Sequence, residues 1–443
     1  MTFCRLLFLF VSLIVAGETA LAEAPNPSKP EAPAPPVEGP VPPAPPAKEG
    51  PAPAGPTPAA PATGGSQQGD IPDDDVKVDS GGSKLSIPRP IADFAAEIEK
   101  RLARYGWSVR TDTAFYDQYA ERTLAGQQNL GTFAWRVWAN WDFASLESGT
   151  RFALEFTLVG SPGLNYEVSD QRLSRNIGSV SVENANLYPD GAALDELILK
   201  VTNGAGSFAG LVGKIDLSNR FDTNAVANSG FRQFVSFALE NNLSIPWSDY
   251  GGIGAFVRYN RDERSYAMLA SSRSDVTSSF DFGHTGSFSD WYQMAEIGIA
   301  LDMPLLGLGH YRLTPWHNHV DGEDGFGFGF NFDQQLGHED VKAFFRFGFG
   351  DEDVTPVKTF VSGGVGWFSP FGRENDMLAI GVAWSVASPG EGFRNETLVE
   401  VFYRYAIAPS LEISPDLQLV LHPAQNPSAN VVWVPGIRLT LGF

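Results

Sequence analysis

Cysteine is nearly absent from this 443-residue chain. Cys4 stands alone, ahead of an apolar run at the N-terminus. No disulfide framework, thiol nucleophile or thiolate metal site can be built from the rest of the sequence. Basic residues are also scarce, 31 Lys and Arg against 52 Asp and Glu, for a formal charge of −21. That balance excludes the basic face a nucleic-acid partner requires. Beyond the first residues no run reaches the roughly 18 apolar residues of a transmembrane helix. Barrel strands are not excluded by this, because they signal more weakly. What the chain has in quantity is glycine, 46 residues, and aromatics, with 32 Phe, 12 Tyr and 10 Trp.

The N-terminus reads as a targeting segment over 1–22. Arg5 supplies the positive end, Leu6–Ala16 an apolar core, and Ala20–Ala22 a small-x-small cleavage site. Cleavage near Ala22 and export across an inner membrane are expected, and Cys4 leaves with the leader. Residues 23–86 form a Pro/Ala-rich linker ("PAPPVEGPVPPAPPAKEG") that holds half of the 32 prolines within Ala24–Ala62 and ends in a Gly/Ser/Asp stretch. Such a segment cannot bury a core and is expected to be a disordered, polyproline-rich arm. It is either a solvated spacer or a periplasmic arm that touches the cell wall. Within 87–104, Ile91, Phe94, Ile98 and Leu102 recur at helical spacing and predict a short amphipathic helix.

From residue 105 the period becomes two. In "TFAWRVWANWDF" one face carries Phe133, Trp135, Val137, Trp141 and Phe143, and the other Thr132, Arg136, Trp138, Asn140 and Asp142. "GFGFGFNFD" puts four phenylalanines, Phe326 to Phe332, opposite Gly, Asn and Asp. "MLAIGVAWSV" sets Leu378, Ile380, Val382 and Trp384 against Ala, Gly and Ser. The polar face is small and sparsely charged, while the apolar face is crowded with aromatics near strand ends. A transmembrane barrel, with lipid outside and a polar lumen, produces this pattern. Only closure satisfies a sheet's backbone in lipid. Strands are expected near 105–118, 130–143, 150–160, 194–203, 207–217, 251–260, 264–271, 291–301, 309–319, 325–334, 340–349, 358–368, 377–387, 395–407, 410–421 and 430–443. The fold class is therefore all-β: a 16-stranded antiparallel transmembrane β-barrel over 105–443, with a short N-terminal helix and a disordered arm. With both termini in the periplasm, the long connections 161–193, 218–250 and 272–290 fall on the outer side and the short ones on the inner side.

Three stretches resemble the carbohydrate-selective porins of Gram-negative outer membranes. They are "GKIDLSNRFDTNAVANSGFRQFVSFALENN" (Gly213–Asn242) running into "IPWSDYGGIGAFVRY", "VTPVKTFVSGGVGWFSPFGRENDMLAIGVAWS" (Val354–Ser385), and the last 49 residues, Asn395–Phe443. The final stretch holds the E-T-x-x-E-x-F-Y-R-Y, S-P-D-L-Q and H-P-x-x-N-P runs. The similarity extends over about 105–443. It implies a sixteen-stranded porin of the outer membrane, in contact with lipid and lipopolysaccharide, that passes monosaccharides and related small solutes. It also implies that the terminal strand ending in Phe443 is read by the outer-membrane assembly machinery. The Trp/Gly-rich start of the family is degraded here and the Pro/Ala arm is an addition, so no lining residue is carried over by position.

Lumen candidates come from the period-two reading alone: Arg136, Trp138, Glu155, Lys200, Lys214, Asp216, Arg258, Arg346, Glu400, Arg404 and Arg438. Each charged group would either offer donors and acceptors to a permeant or form a structural ion pair of the wall; Trp138 would stack on a sugar ring or pack the lumen. The 218–250 connection is long enough to be functional and is expected to fold inward. That adds Arg220, Asp222, Arg232 and Trp247. Pro435 in the last strand predicts a bulge. His317 and His319 share a strand face, but two histidines are no metal site. No cofactor or metal is expected, and nothing marks a nucleophile with its base, so the reading is a channel and not an enzyme. The alternatives are a porin for other solutes and an anchor barrel whose arm binds peptidoglycan.

Overall fold

The computed structural model describes residues 97–442, apart from 162–171, 182–183, 185–191, 249, 277, 279–280, 283–289, 321, 389–393 and 409. The leader, the Pro/Ala arm, the first part of the expected helix (Ile91 and Phe94 included) and Phe443 lie outside the described residues. Residues 97–103 are helical, with Arg101 paired to Glu97 at 2.9 Å and Ile98 40% exposed. Gly106, at φ +78, turns the chain into the first strand. A Cβ there would sit 2.3 Å from the Asp142 carbonyl oxygen.

Sixteen strands follow: β1 (Trp107–Tyr119), β2 (Asn129–Ser145), β3 (Arg151–Gly160), β4 (Ala193–Thr202), β5 (Phe208–Ile215), β6 (Gly252–Asp262), β7 (Ser265–Arg273), β8 (Trp291–Met303), β9 (Gly307–Val320), β10 (Glu323–Gln335), β11 (Val341–Gly350), β12 (Val357–Phe368), β13 (Met377–Ala387), β14 (Glu396–Ala408), β15 (Leu411–Leu421) and β16 (Val431–Gly442). Each pairs antiparallel with its neighbours in sequence, and β16 closes on β1 from Asp112↔Gly442 to Gln118↔Gly436. Every sequence-expected strand is present within a few residues of its expected limits. Among the described residues no helix is long and apolar enough to cross a membrane.

The two faces are inverted relative to a soluble protein. Ile297 is 66% exposed and Phe326 61%, while Arg346 and Glu400 on inward faces are 0% exposed. Along β16, Trp433, Pro435, Ile437, Leu439 and Leu441 face out, and Val432, Val434, Arg438 and Thr440 face in. Outward aromatics gather at both rims, as interfacial girdles do. At the short-turn rim Trp107 stacks on Trp141 at 5.4 Å, and Trp367, Phe371, Tyr403 and Tyr405 form a second group. At the long-loop rim stand Tyr119, Trp384 and Trp433.

The expected bulge at Pro435 is absent. Pro435 pairs with Leu417 in an unbroken register. It sits one residue past Gly436, the last β16 residue paired with β1, so the missing donor falls where that ladder stops. A bulge does occur on β4: Thr157 pairs with Glu196 and Leu158 with Leu194, which leaves Asp195 as the extra residue.

The outward assignment is testable at mid-strand. Val382→Arg places a cation in the apolar belt and is expected to lower barrel stability in lipid vesicles by about 2–4 kcal/mol. Urea titration followed by the folded-barrel gel shift measures it. An unchanged midpoint would show that Val382 does not face hydrocarbon.

Candidate functional site: a loop clamped across the lumen

The β5–β6 connection, residues 216–251, folds into the barrel. It begins with a 3-10 turn, Leu217–Asn219, capped by the Asp216 side chain, which accepts from the Ser218 amide at 2.8 Å. Further on it forms a one-turn helix, Phe237–Glu240, whose cap Ser236 accepts from the Ala238 amide. Most of its described residues are buried and none is exposed; the buried ones include Phe221, Phe231, Phe234, Val235, Ala238 and Leu239.

Apolar packing holds the loop on three sides. Phe234 meets Phe402 edge-on at 5.1 Å and tilts against Phe344 at 5.6 Å, within a cluster that includes Phe360, Met377 and Val432. Leu217, Phe221 and Ile245 pack on Phe256, Met268, Met294 and Trp316. Phe231 and Val235 pack on Ala114, Tyr116 and Ala134. In the Phe/Gly alternation of β10 the phenylalanines face outward, while the glycines leave room inside, Gly329 for the loop and Gly327 for Trp316. A Cβ on Gly348 of β11 would lie 2.0 Å from Ser244 Oγ, and one on Gly329 3.2 Å from Asn242 Nδ2.

Polar clamps do the rest. Arg346 donates to the carbonyl oxygens of Leu239 (2.7 Å), Ala227 (2.7 Å) and Asp222 (3.0 Å), and its Nε faces the Asp222 carboxylate at 2.9 Å. Arg438 donates to Gly230 (2.7 Å) and Gln233 (2.8 Å), and Arg404 to Arg232 O (3.0 Å). Glu400 accepts from the amides of Val235 (2.6 Å) and Ser236 (3.0 Å). Asn331 donates to the carbonyl and carboxylate of Asp222 at 2.7 and 2.8 Å. Thus three wall arginines satisfy loop carbonyls that no ladder can reach. Such charge-assisted bonds are stronger than neutral ones. Asp222 adopts φ +58 to make these contacts. Burial pushes its carboxyl above the usual range, against the opposing pull of Arg346 and Asn331.

Burial divides the candidates between the two roles the sequence left open. Arg346, Glu400, Arg404, Arg438 and Asp222 are at most 2% exposed, so they have no surface for a permeant; their partners are the loop's own backbone. Lys214 is 0% exposed and donates to the carbonyls of Gly251 and Asp281. Asp216 is a turn cap. Trp247 donates Nε1 to Asn242 O at 3.1 Å and is half-buried.

The remaining candidates mostly cluster on one wall. Arg136 and Trp138 of β2 stand half-buried beside Asp112 and Arg110 of β1. The Arg136 guanidinium lies 5.4 Å from the centre of the loop's Phe231 ring. Lys200 pairs with Glu155 at 3.0 Å, and Arg220 with Glu196 at 3.1 Å. Arg232 reaches Asp112 at 3.2 Å and Glu412 at 3.4 Å. Arg258 lies apart on β6, stacked over Tyr266 at 4.0 Å. Period-two reasoning could have found Asp112, Asn331 and Glu412, which fall on inward positions of their strands. It could not have found the pair Asp195 and Glu196. Alternation sends neighbours to opposite faces, whereas the β4 bulge leaves both buried.

The family model for carbohydrate-selective porins of the OprB family matches residues 282–443. The match is narrower than the expected 105–443 and takes in two of the three resembling stretches. Porin AaxA of Chlamydia pneumoniae is 25% identical over 226 residues, which are 49% of this chain and 51% of that protein. Porin AaxA of Chlamydia trachomatis serovar D is 26% identical over 225 residues, 47% of each. The chain thus spans about half the length of these curated relatives. OprB of Pseudomonas putida, solved at high pH, superposes with a TM-score of 0.65 at 15% identity, covering 79% of this chain and 97% of that one. Its low-pH structure gives 0.52 at 14% identity, covering 81% and 100%. At such identity the likeness is one of fold.

Loop clamping in this barrel has a measurable size. Arg346→Leu strands the Asp222 carboxylate and the loop carbonyls, and is expected to cost about 3–5 kcal/mol. Adding Asp222→Asn should recover a substantial part of that loss. Urea unfolding of the single and double variants in vesicles decides it; strict additivity would mean that the pair does not interact.

Proposed function

We propose that the chain is an outer-membrane porin through which saccharides and other small hydrophilic solutes diffuse passively. One observation carries this. Inside a closed, lipid-facing barrel, the inward loop meets the β1–β4 wall at groups left partly open: Arg110, Arg136, Trp138, Lys200 and Arg232. Guanidinium and ammonium donors stand there beside the carboxylates of Asp112 and Glu155. Such a set can exchange hydrogen bonds with sugar hydroxyls, and Trp138 can lie against a pyranose face. Selection of this kind depends on bore and lining, with no bond made or broken. The family match and the named porin relatives support a channel over an enzyme. The same reading puts both termini in the periplasm, the long loops outside against lipopolysaccharide, the leader cleaved near Ala22, and the terminal strand in the hands of the assembly machinery.

Liposome swelling with graded sugars tests the function. Monosaccharides are expected to enter faster than trisaccharides, and millimolar glucose to reduce single-channel current. Trp138→Ala should weaken that block while conductance persists. Gly348→Val should wedge the loop from the wall and raise conductance. Flow without sugar block would point to a general pore. No conductance at all would leave an anchor barrel.

A further inference from the structure

The E-T-x-x-E run contains two glutamates, Glu396 and Glu400, four residues apart on the inward face of β14. Both are 0% exposed, yet they hold different chain segments. Glu400 holds the β5–β6 loop, as described above. Glu396 reaches the β3–β4 connection. Its carboxylate accepts from the amides of Val180 (3.2 Å) and Ser181 (3.0 Å) and from the hydroxyls of Ser179 (2.9 Å) and Ser181. It also accepts from the amide of Ala424 in the β15–β16 connection (2.8 Å). Five neutral donors from two loops thus converge on one carboxylate. Gly178, at φ +81, permits the turn, and a Cβ there would lie 3.0 Å from Asn426.

The held segment is part of the lumen's contents. Leu173 and Ile177 of the helix Arg172–Ile177 belong to the apolar cluster that surrounds Phe234 and Leu239. Ser181 O accepts from the Ala238 amide and from Ser236 Oγ, each at 3.1 Å, which ties the segment to the clamped loop. Ile177 O accepts from Asn426 Nδ2 at 3.0 Å, and Gly178 O from the Gln425 amide at 2.8 Å. Asn426 belongs to the H-P-x-x-N-P run, so two of the sequence motifs meet at this joint.

We propose that Ser179, Val180, Ser181 and the Ala424 amide form an anion-binding nest for a small carboxylate, filled in cis by Glu396, and that its occupancy fixes the segment Arg172–Ser181 in the bore. Converging main-chain amides bind anions in this way. Left empty, the nest would bury several unsatisfied donors at once, a cost that drives either refilling or release of the segment. Glu396 is therefore a positioning residue of the channel, acting through the segment it holds. Its effect on conductance rests on the pore reading above; its effect on the segment does not.

Glu396→Ala removes the equivalent of acetate, so acetate is the probe. In the full-length variant, folded in vesicles, trypsin is expected to cut after the exposed Arg175 faster than in the parent chain. Tens of millimolar acetate, against equal chloride, should restore protection, as a millimolar-class site would. Acetamide, similar in shape but neutral, should not. Single-channel conductance should rise by at least about twofold, as expected where a constriction widens, and fall back in acetate. Cleavage equal to the parent's, or faster cleavage that acetate and acetamide suppress alike, would overturn the proposal. Acetate-dependent protection in a chain that never conducts would sustain the nest while overturning the porin reading.

Discussion

Hydrocarbon offers no hydrogen bonds, and this one constraint shapes the molecule. A sheet immersed in it must leave no edge, so β16 returns to β1 and every strand has two partners. Closure then separates two solvents. Lipid selects Phe, Leu, Val and Ile on the outside, and the polar residues are turned inward with the Gly and Ala. The interior is wide enough to need filling, and the chain fills it with its own β5–β6 connection.

An inward loop inherits the problem that closure solved for the strands. Its amides and carbonyls are buried and have no ladder. The wall answers with charged side chains, Arg346, Arg404 and Arg438 for carbonyls and Glu400 for amides, while Glu396 does the same for amides of the β3–β4 and β15–β16 connections. A neutral side chain could serve one or two such groups, whereas a guanidinium serves several in a fixed fork. This explains why the most buried charges of the barrel touch backbone. Gly329 of β10 and Gly348 and Gly350 of β11 complete the fit, since a Cβ at each would crowd Asn242 or Ser244.

The division of charged residues follows from this. Groups beneath the loop are sealed and structural. Along β1–β4, where the loop presents Phe231 and Arg232, Arg110, Arg136, Trp138 and Lys200 stay half-buried, while Asp112, Glu155, Asp195 and Glu196 of the same strands are buried. The lining is thus set by where the loop does not pack.

The strand pattern was legible in sequence because a period of two survives averaging: each strand lies between the same two environments, lipid and lumen, along its whole length. Chain order was legible too, since an antiparallel barrel pairs neighbours in sequence, and the long connections stood out by length alone. What the strand pattern could not show is which inward residue stays partly open and which faces the folded loop. Arg136 and Arg346 occupy equivalent positions in the alternation, and only one is sealed. The β4 bulge at Asp195, the joining of Glu396 to Ser179–Ser181, and the meeting of Arg346 with Asp222 across more than a hundred residues depend on contacts between distant segments. Local sequence carries the preference of a residue for lipid or for polar surroundings. The partner it meets in a crowded lumen is decided only when the barrel has closed around its loop.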